Sequence, residues 1–196
     1  MYSPDQYIEE KRTINLRKMQ LLSWVVAVVA LIVYGSAFYS LADDPSANVF
    51  AGKSVAGIFW ILLGFVGMIA AGICLHELVH GFFFAIFAKN GFKSIKFGVL
   101  TKPVFAFYCH CKEPLKRHQY MVSAIMPLIL LGILPSVIAV FTSNFLLLLA
   151  GYILTVGAIG DVMMIKMLVQ EDKNSYVLDH PSEIGFYVLK EKNVER

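Results

Sequence analysis

Four long apolar stretches dominate the chain: Leu21–Leu41, Val55–Leu75, Met121–Phe141 and Phe145–Ile165. A helix needs about 20 such residues to cross a hydrocarbon core of about 30 Å. The first three contain no Asp, Glu, Lys or Arg, and the fourth contains one acid, Asp161. Between the second and third stretches the period changes. Ile95, Phe97 and Val99 alternate with Ser94, Lys96 and Gly98, Thr101-Lys102-Pro103 reads as a turn, and Val104–Cys111 is rich in β-branched and aromatic residues. This pattern predicts a β-hairpin. The tail from Gln170 to Arg196 is mixed and short, with a turn at Asp179-His180-Pro181, and predicts no second core. The elements are those of an all-α membrane protein. About four transmembrane helices are expected, at about 21–41, 55–75 extending to 88, 121–141 and 145–165. A small hairpin at about 92–111 lies between the second and third, and residues 1–196 form a single polytopic domain.

Composition narrows the class. The chain is 58% hydrophobic and 16% charged, against about 25% charged in an ordinary soluble domain. A net charge of +3 and an aromatic content of 13% fit neither disorder nor nucleic-acid binding. Three cysteines exclude a disulfide scaffold. Ser40-Leu41-Ala42 resembles a signal-peptide cleavage site, but a polar segment with Glu9 and Glu10 precedes the first apolar run, which is also too long, so a retained helix is expected. Basic residues set the orientation. All lysines and arginines except Lys53 fall before the first helix, between the second and third, or at the end of the fourth and beyond. The positive-inside rule then places both termini and the hairpin on the cytoplasmic side of the cell membrane.

Candidate chemistry stands where the second apolar run ends, in His76-Glu77-Leu78-Val79-His80. Residues i and i+4 share one helix face, so both imidazoles can bind one metal ion. Glu77 beside them has the position of a general base. Zinc is the expected ion, because imidazole suits it and catalytic zinc takes three protein ligands. The plainer reading is that two histidines and a glutamate cap a membrane helix among the headgroups. Polar groups at membrane depth are costly and usually functional, which favours the metal.

Asp161 is the first candidate for the third ligand. An ionised Asp within a membrane helix costs about 2.5–3.5 kcal/mol on insertion scales, and a bound cation compensates it. Its depth, counted along the fourth helix, matches that of His76 along the second. A pair with Lys166, or a hydrogen bond to a neighbouring helix through a kink at Gly157–Gly160, is the competing explanation. Glu113, His110 and Asp179 are further ligand candidates in loops. Cys109-His110-Cys111 is tight, but adjacent strand residues point to opposite faces. Cys74 and His118 read as a packing and a membrane-edge residue. Gly64, Gly67, Ala70, Ala71 and Gly72 read as small residues permitting close helix approach. Pro127 either kinks the third helix or unwinds it.

With these residues in hand, the chain resembles the bacterial zincin peptidase membrane family catalogued as domain of unknown function 3267. The resemblance is carried by HELVHG at His76–Gly81, CKEPLKRHQY at Cys111–Tyr120, Pro127, and Gly160-Asp161. More distantly it is similar to site-2 proteases, which pair HExxH with a downstream Asp. That similarity implies His76, His80 and Asp161 as zinc ligands and Glu77 as the catalytic residue. Val162 follows Asp161 where site-2 proteases usually have Gly, and no Asn-Pro precedes it. The expected function is a membrane-embedded zinc metalloprotease that hydrolyses peptide bonds of membrane-associated or transmembrane substrates. Its partners are then the lipid bilayer and a membrane protein or peptide. The alternatives are a non-catalytic membrane scaffold, and a metal or proton transporter built on the same polar residues.

Overall fold

The computed structural model describes residues 7–46, 49–101, 106–180 and 183–191. In chain order the elements are β1 (Tyr7–Thr13), α1 (Leu16–Leu41), α2 (Val55–Phe87), a 3-10 turn (Gly91–Ser94), β2 (Ile95–Leu100), β3 (Ala106–Cys111) and β4 (Leu115–Lys116). They continue with α3 (Arg117–Pro127), a π-helical segment (Leu128–Ile133), α4 (Leu134–Phe141), α5 (Phe145–Gly157), α6 (Ile159–Val169), β5 (Tyr176–Asp179) and β6 (Gly185–Glu191).

Short polar side chains start the apolar helices. Asn15 accepts the N–H of Lys18, Ser54 that of Gly57, and Asn144 that of Leu147, each satisfying a donor that helix geometry leaves free. The cap at Asn15 starts α1 at Leu16, more than a turn before its apolar run begins. Three helical stretches are long and apolar enough to cross a membrane: α1, α2, and the continuous run Arg117–Phe141. The pair α5 and α6, bent by 43° at Ala158, makes a fourth if the two count as one span. At 33 residues α2 exceeds what a bilayer needs, since about 20 residues suffice.

The fold is mostly helical but not all-α, which corrects the sequence expectation. A four-stranded sheet has the order β1-β6-β5-β4, and a separate two-stranded sheet pairs β2 with β3. The second pairing sets Ile95 opposite Cys111 and Leu100 opposite Ala106, inside the stretch 92–111. The predicted turn residues Lys102 and Pro103, like Pro181 of the second turn, lie outside the described residues.

By its internal contacts the chain divides into two compact units. One comprises Gln20–His76 and Pro127–Ile159. Here Phe38, Ala139, Val140 and Leu148 form a small core. Gly151 has no room for a side chain, since a Cβ would stand 2.8 Å from the Gly132 carbonyl oxygen and 3.0 Å from the Ser136 nitrogen. Small residues therefore carry the close approach of α5 to the π segment and α4. A Cβ on Gly72 would meet Leu154 at 2.8 Å, but nothing lies within 4 Å of where a Cβ would be on Gly64 or Gly67. Of the three glycines expected to serve helix packing, only Gly72 does. Cys74 is exposed rather than packed.

The other unit comprises Met1–Met19, Glu77–Met126 and Gly160–Arg196. Its core brings Phe84 of α2 and Ala88 just beyond it together with Cys111, Leu115, Tyr120, Ala124 and Leu168, and with Val177, Phe186 and Val188 of the sheet. The tail after Gln170, which promised no core, supplies three of its fully buried side chains. Strand β1 joins through β6, from Tyr7 opposite Glu191 to Thr13 opposite Gly185. Gly185 is required there, because a Cβ would sit 2.2 Å from the Arg12 carbonyl oxygen. Ion pairs of Lys11 with Glu183, Arg12 with Glu10 and Glu171, and Lys190 with Glu10 trim this edge.

Candidate metal centre

The motif lies on an unbroken stretch of α2. His76 and Glu77 are half-buried, and His80 is buried at 7% exposure. The ring of His80 stacks on Phe84 with centroids 6.1 Å apart, and Phe84 in turn packs on Tyr120 at 5.2 Å. Its Nδ1 lies 2.9 Å from the backbone carbonyl oxygen of Ser123. A carbonyl only accepts, so Nδ1 carries the proton in this bond. In the neutral ring Nε2 then presents a lone pair, and it lies 3.3 Å from a carboxylate oxygen of Asp161.

Asp161 stands in the first turn of α6, directly after the bend at Ala158. A helix N-terminus favours negative charge, so the break that places this acid also stabilises it. Nothing lies within 4 Å of where a Cβ would be on Gly157 or Gly160, so no close neighbour requires a glycine at either position. The ligand atoms of His76, His80 and Asp161 all lie within 4.8 Å of one another, the one such group of three or more among the described residues.

Two nitrogens and a carboxylate oxygen are a zinc donor set. Ligands about 2.0–2.2 Å from a tetrahedral ion are about 3.3–3.6 Å apart, and the His80–Asp161 separation of 3.3 Å falls there. A lone pair facing a carboxylate calls for positive charge between them, which a proton on Nε2 or a metal ion supplies. The residues fit the ion.

Glycine follows the motif for a steric reason. A Cβ on Gly81 would meet the Phe97 ring at 2.5 Å and the Cys109 sulfur at 3.4 Å, so the β2–β3 pair lies directly on α2 one residue beyond His80. Burial pushes the Cys109 thiol up strongly, and the charges of Asp179 and Glu77 add to it. Burial likewise pushes the Cys111 thiol up to about 12. Both thiols stay protonated, and no disulfide forms.

The other candidate ligands serve elsewhere. Glu113 accepts from the Lys89 N–H, the Asn90 amide and the Ser94 hydroxyl, tying the end of α2 to the 3-10 turn. Burial raises its carboxyl, but these bonds outweigh that and hold it below the ordinary value. His118 is exposed. Asp179, at the end of β5, accepts from the Cys111 N–H at 2.8 Å and from the Tyr120 hydroxyl. His110 lies beside it, with Nδ1 3.8 Å from Asp179. Sequence reasoning missed both the backbone partner of His80 and the clamp that Asp179 makes. A turn-forming Asp-His-Pro carries no sign of a buried carboxylate, and no residue type marks a carbonyl that serves a ligand.

Burial pushes the Asp179 carboxyl up to about 6 from 3.8, against the pull of Cys111 and Tyr120. The folded protein thus holds a proton that the unfolded chain releases. The stability linked to it is full below 3.8 and is lost as pH rises through about 6. Denaturation in mixed micelles between about pH 4 and 7 is expected to show stability falling with pH, and Asp179→Asn to flatten that dependence. An unchanged slope in the variant would contradict this.

A family model described as Putative zincin peptidase matches residues 69–176, which contain the whole motif and Asp161. No curated protein and no solved structure matches the chain.

Proposed function

The chain belongs to the Putative zincin peptidase family, and from that premise we propose that it is a membrane-embedded zinc metalloprotease acting on membrane-associated or transmembrane substrates. The observation that carries this is the convergence of His76, His80 and Asp161. These three residues would hold the ion. When bound, zinc supplies Lewis-acid polarisation of a peptide carbonyl and a supply of nucleophile at neutral pH.

The chain's own groups do the rest. Glu77, next to His76 on α2, takes the proton of the attacking water and returns it to the departing amine. The Ser123 carbonyl orients His80. Strand β2, paired only with β3 among the described residues, offers an edge against which an extended substrate can straighten for attack. Exposed apolar side chains along α1 and α2, including Trp24, Val28, Trp60 and Val66, fit a lipid partner.

Purified protein is expected to contain about one zinc per chain. A chelator should abolish hydrolysis of labelled casein, and added zinc should restore it. A metal-free protein would favour the scaffold reading. A metal-replete protein that cleaves nothing while moving metal or protons across vesicles would favour transport.

We place both termini and residues 91–116 on the cytoplasmic side. The distribution of basic residues supports this. So does the pairing of β1 with β6, since strands that are hydrogen-bonded along their length share one side of a bilayer. An even number of crossings follows, which requires α5 and α6 to act as one span. An introduced Ser46→Cys should react with an impermeant maleimide from outside the cell. Reaction from the cytoplasmic side alone would overturn the topology.

A further inference from the structure

In an α-helix the carbonyl of residue i accepts the N–H of residue i+4. For Ser123 that residue is Pro127, which has no N–H to give. The Ser123 carbonyl instead accepts from His80 Nδ1. Bulk solvent does not reach this carbonyl, because Ser123 is 0% exposed and Pro127 is among the side chains under 2%. The Ser123 hydroxyl is engaged separately, donating to the Gln119 carbonyl, so the backbone alone serves the histidine. Beyond Pro127 the helix widens into the π segment, the kind of irregularity that clusters at functional sites.

We propose that Pro127 is a positioning residue for the metal centre: by withholding an N–H it reserves the Ser123 carbonyl for His80, which fixes the Nδ1–H tautomer and turns Nε2 toward Asp161. The backbone of Pro127 has φ −60° and ψ −40°, ordinary helical values. An alanine therefore fits there without strain, and its N–H would point at the Ser123 oxygen. It would compete for the acceptor that His80 uses. Loss of a partner that orients a ligating histidine typically costs about 10–100-fold in metal affinity.

The metal part of this rests on the zinc reading above, whereas the tautomer does not. The test compares the full chain in detergent with Pro127→Ala and with Pro127→lactic acid, which lacks the ring and, through its ester, also lacks the N–H. Zinc affinity is read by competition with a chromophoric chelator. The His80 tautomer is read in metal-free protein, at a pH alkaline enough to leave the ring neutral, from ring nitrogen-15 spectra, its signals identified by their loss in His80→Ala. Pro127→Ala should bind zinc about 10–100-fold more weakly and lose the pure Nδ1–H form. Pro127→lactic acid should match the parent in both. If the lactic acid variant behaves like the alanine one, ring shape and not the missing N–H matters, and the proposal fails. It fails equally if the parent ring is protonated on Nε2, or if Pro127→Ala changes neither measurement. Parent protein that shows the tautomer effect yet binds no zinc would overturn the zinc reading and leave this one standing.

Discussion

Glu77→Gln is expected to keep its zinc and to hydrolyse peptide about 10²–10⁴-fold more slowly, the range that a positioned general base contributes. The substitution is nearly isosteric and lies outside the three residues whose ligand atoms converge. It removes only the capacity to take and return a proton. Zinc content and turnover should therefore separate in this variant, with the metal near parental stoichiometry. Full activity in Glu77→Gln would remove Glu77 from the chemistry. Loss of zinc along with activity would make it a ligand or a support of the ligands.

Asp161→Ala should have the second largest effect, lowering both zinc content and activity. It takes away the one oxygen donor of the cluster and leaves two imidazoles, which do not hold zinc as a catalytic site does. The loss should exceed the about 10–100-fold that follows removal of an orienting partner, and should resemble that of His76→Ala or His80→Ala. Asp161→Glu, whose longer side chain keeps the carboxylate, should retain part of each. An Asp161→Ala protein with parental zinc would show that the third donor lies elsewhere, and Glu113 or His110 would have to leave the contacts described here to supply it.

Much of the helical architecture was legible because membrane burial writes itself into long apolar runs, and the histidines because the spacing i, i+4 is local. The pairing of 95–100 with 106–111 was legible for the same reason, since Ile95, Phe97 and Val99 alternate with smaller or polar residues. The four-stranded sheet was not. Strand β1 reads Tyr-Ile-Glu-Glu-Lys-Arg-Thr, polar on both faces, because its charges are matched by Glu171, Glu183 and Lys190 far along the chain. No local period reports such partners. Asp161 was legible as a costly acid in an apolar run. The break at Ala158 was legible as a kink at Gly157–Gly160, but not that it sets Asp161 on a helix N-terminus. The role of Gly81 was hidden too, because the ring that excludes a side chain there belongs to Phe97.

The sheet that joins β1 to β6 also constrains the order in which the molecule can assemble. Strand β1 emerges from the ribosome before α1, yet its hydrogen-bonding partner begins at Gly185, after α6. Until then its N–H and C=O groups must stay with water or a chaperone, as contacts so distant in sequence form late. The core around Tyr120, Val177, Phe186 and Val188 waits on the same event, and with it the clamp by Asp179 on Tyr120, one helical turn from Ser123. The surroundings of the Ser123 carbonyl, and through it of His80, are thereby tied to the synthesis of Gly185–Glu191 and stay incomplete in a nascent chain until that strand has paired.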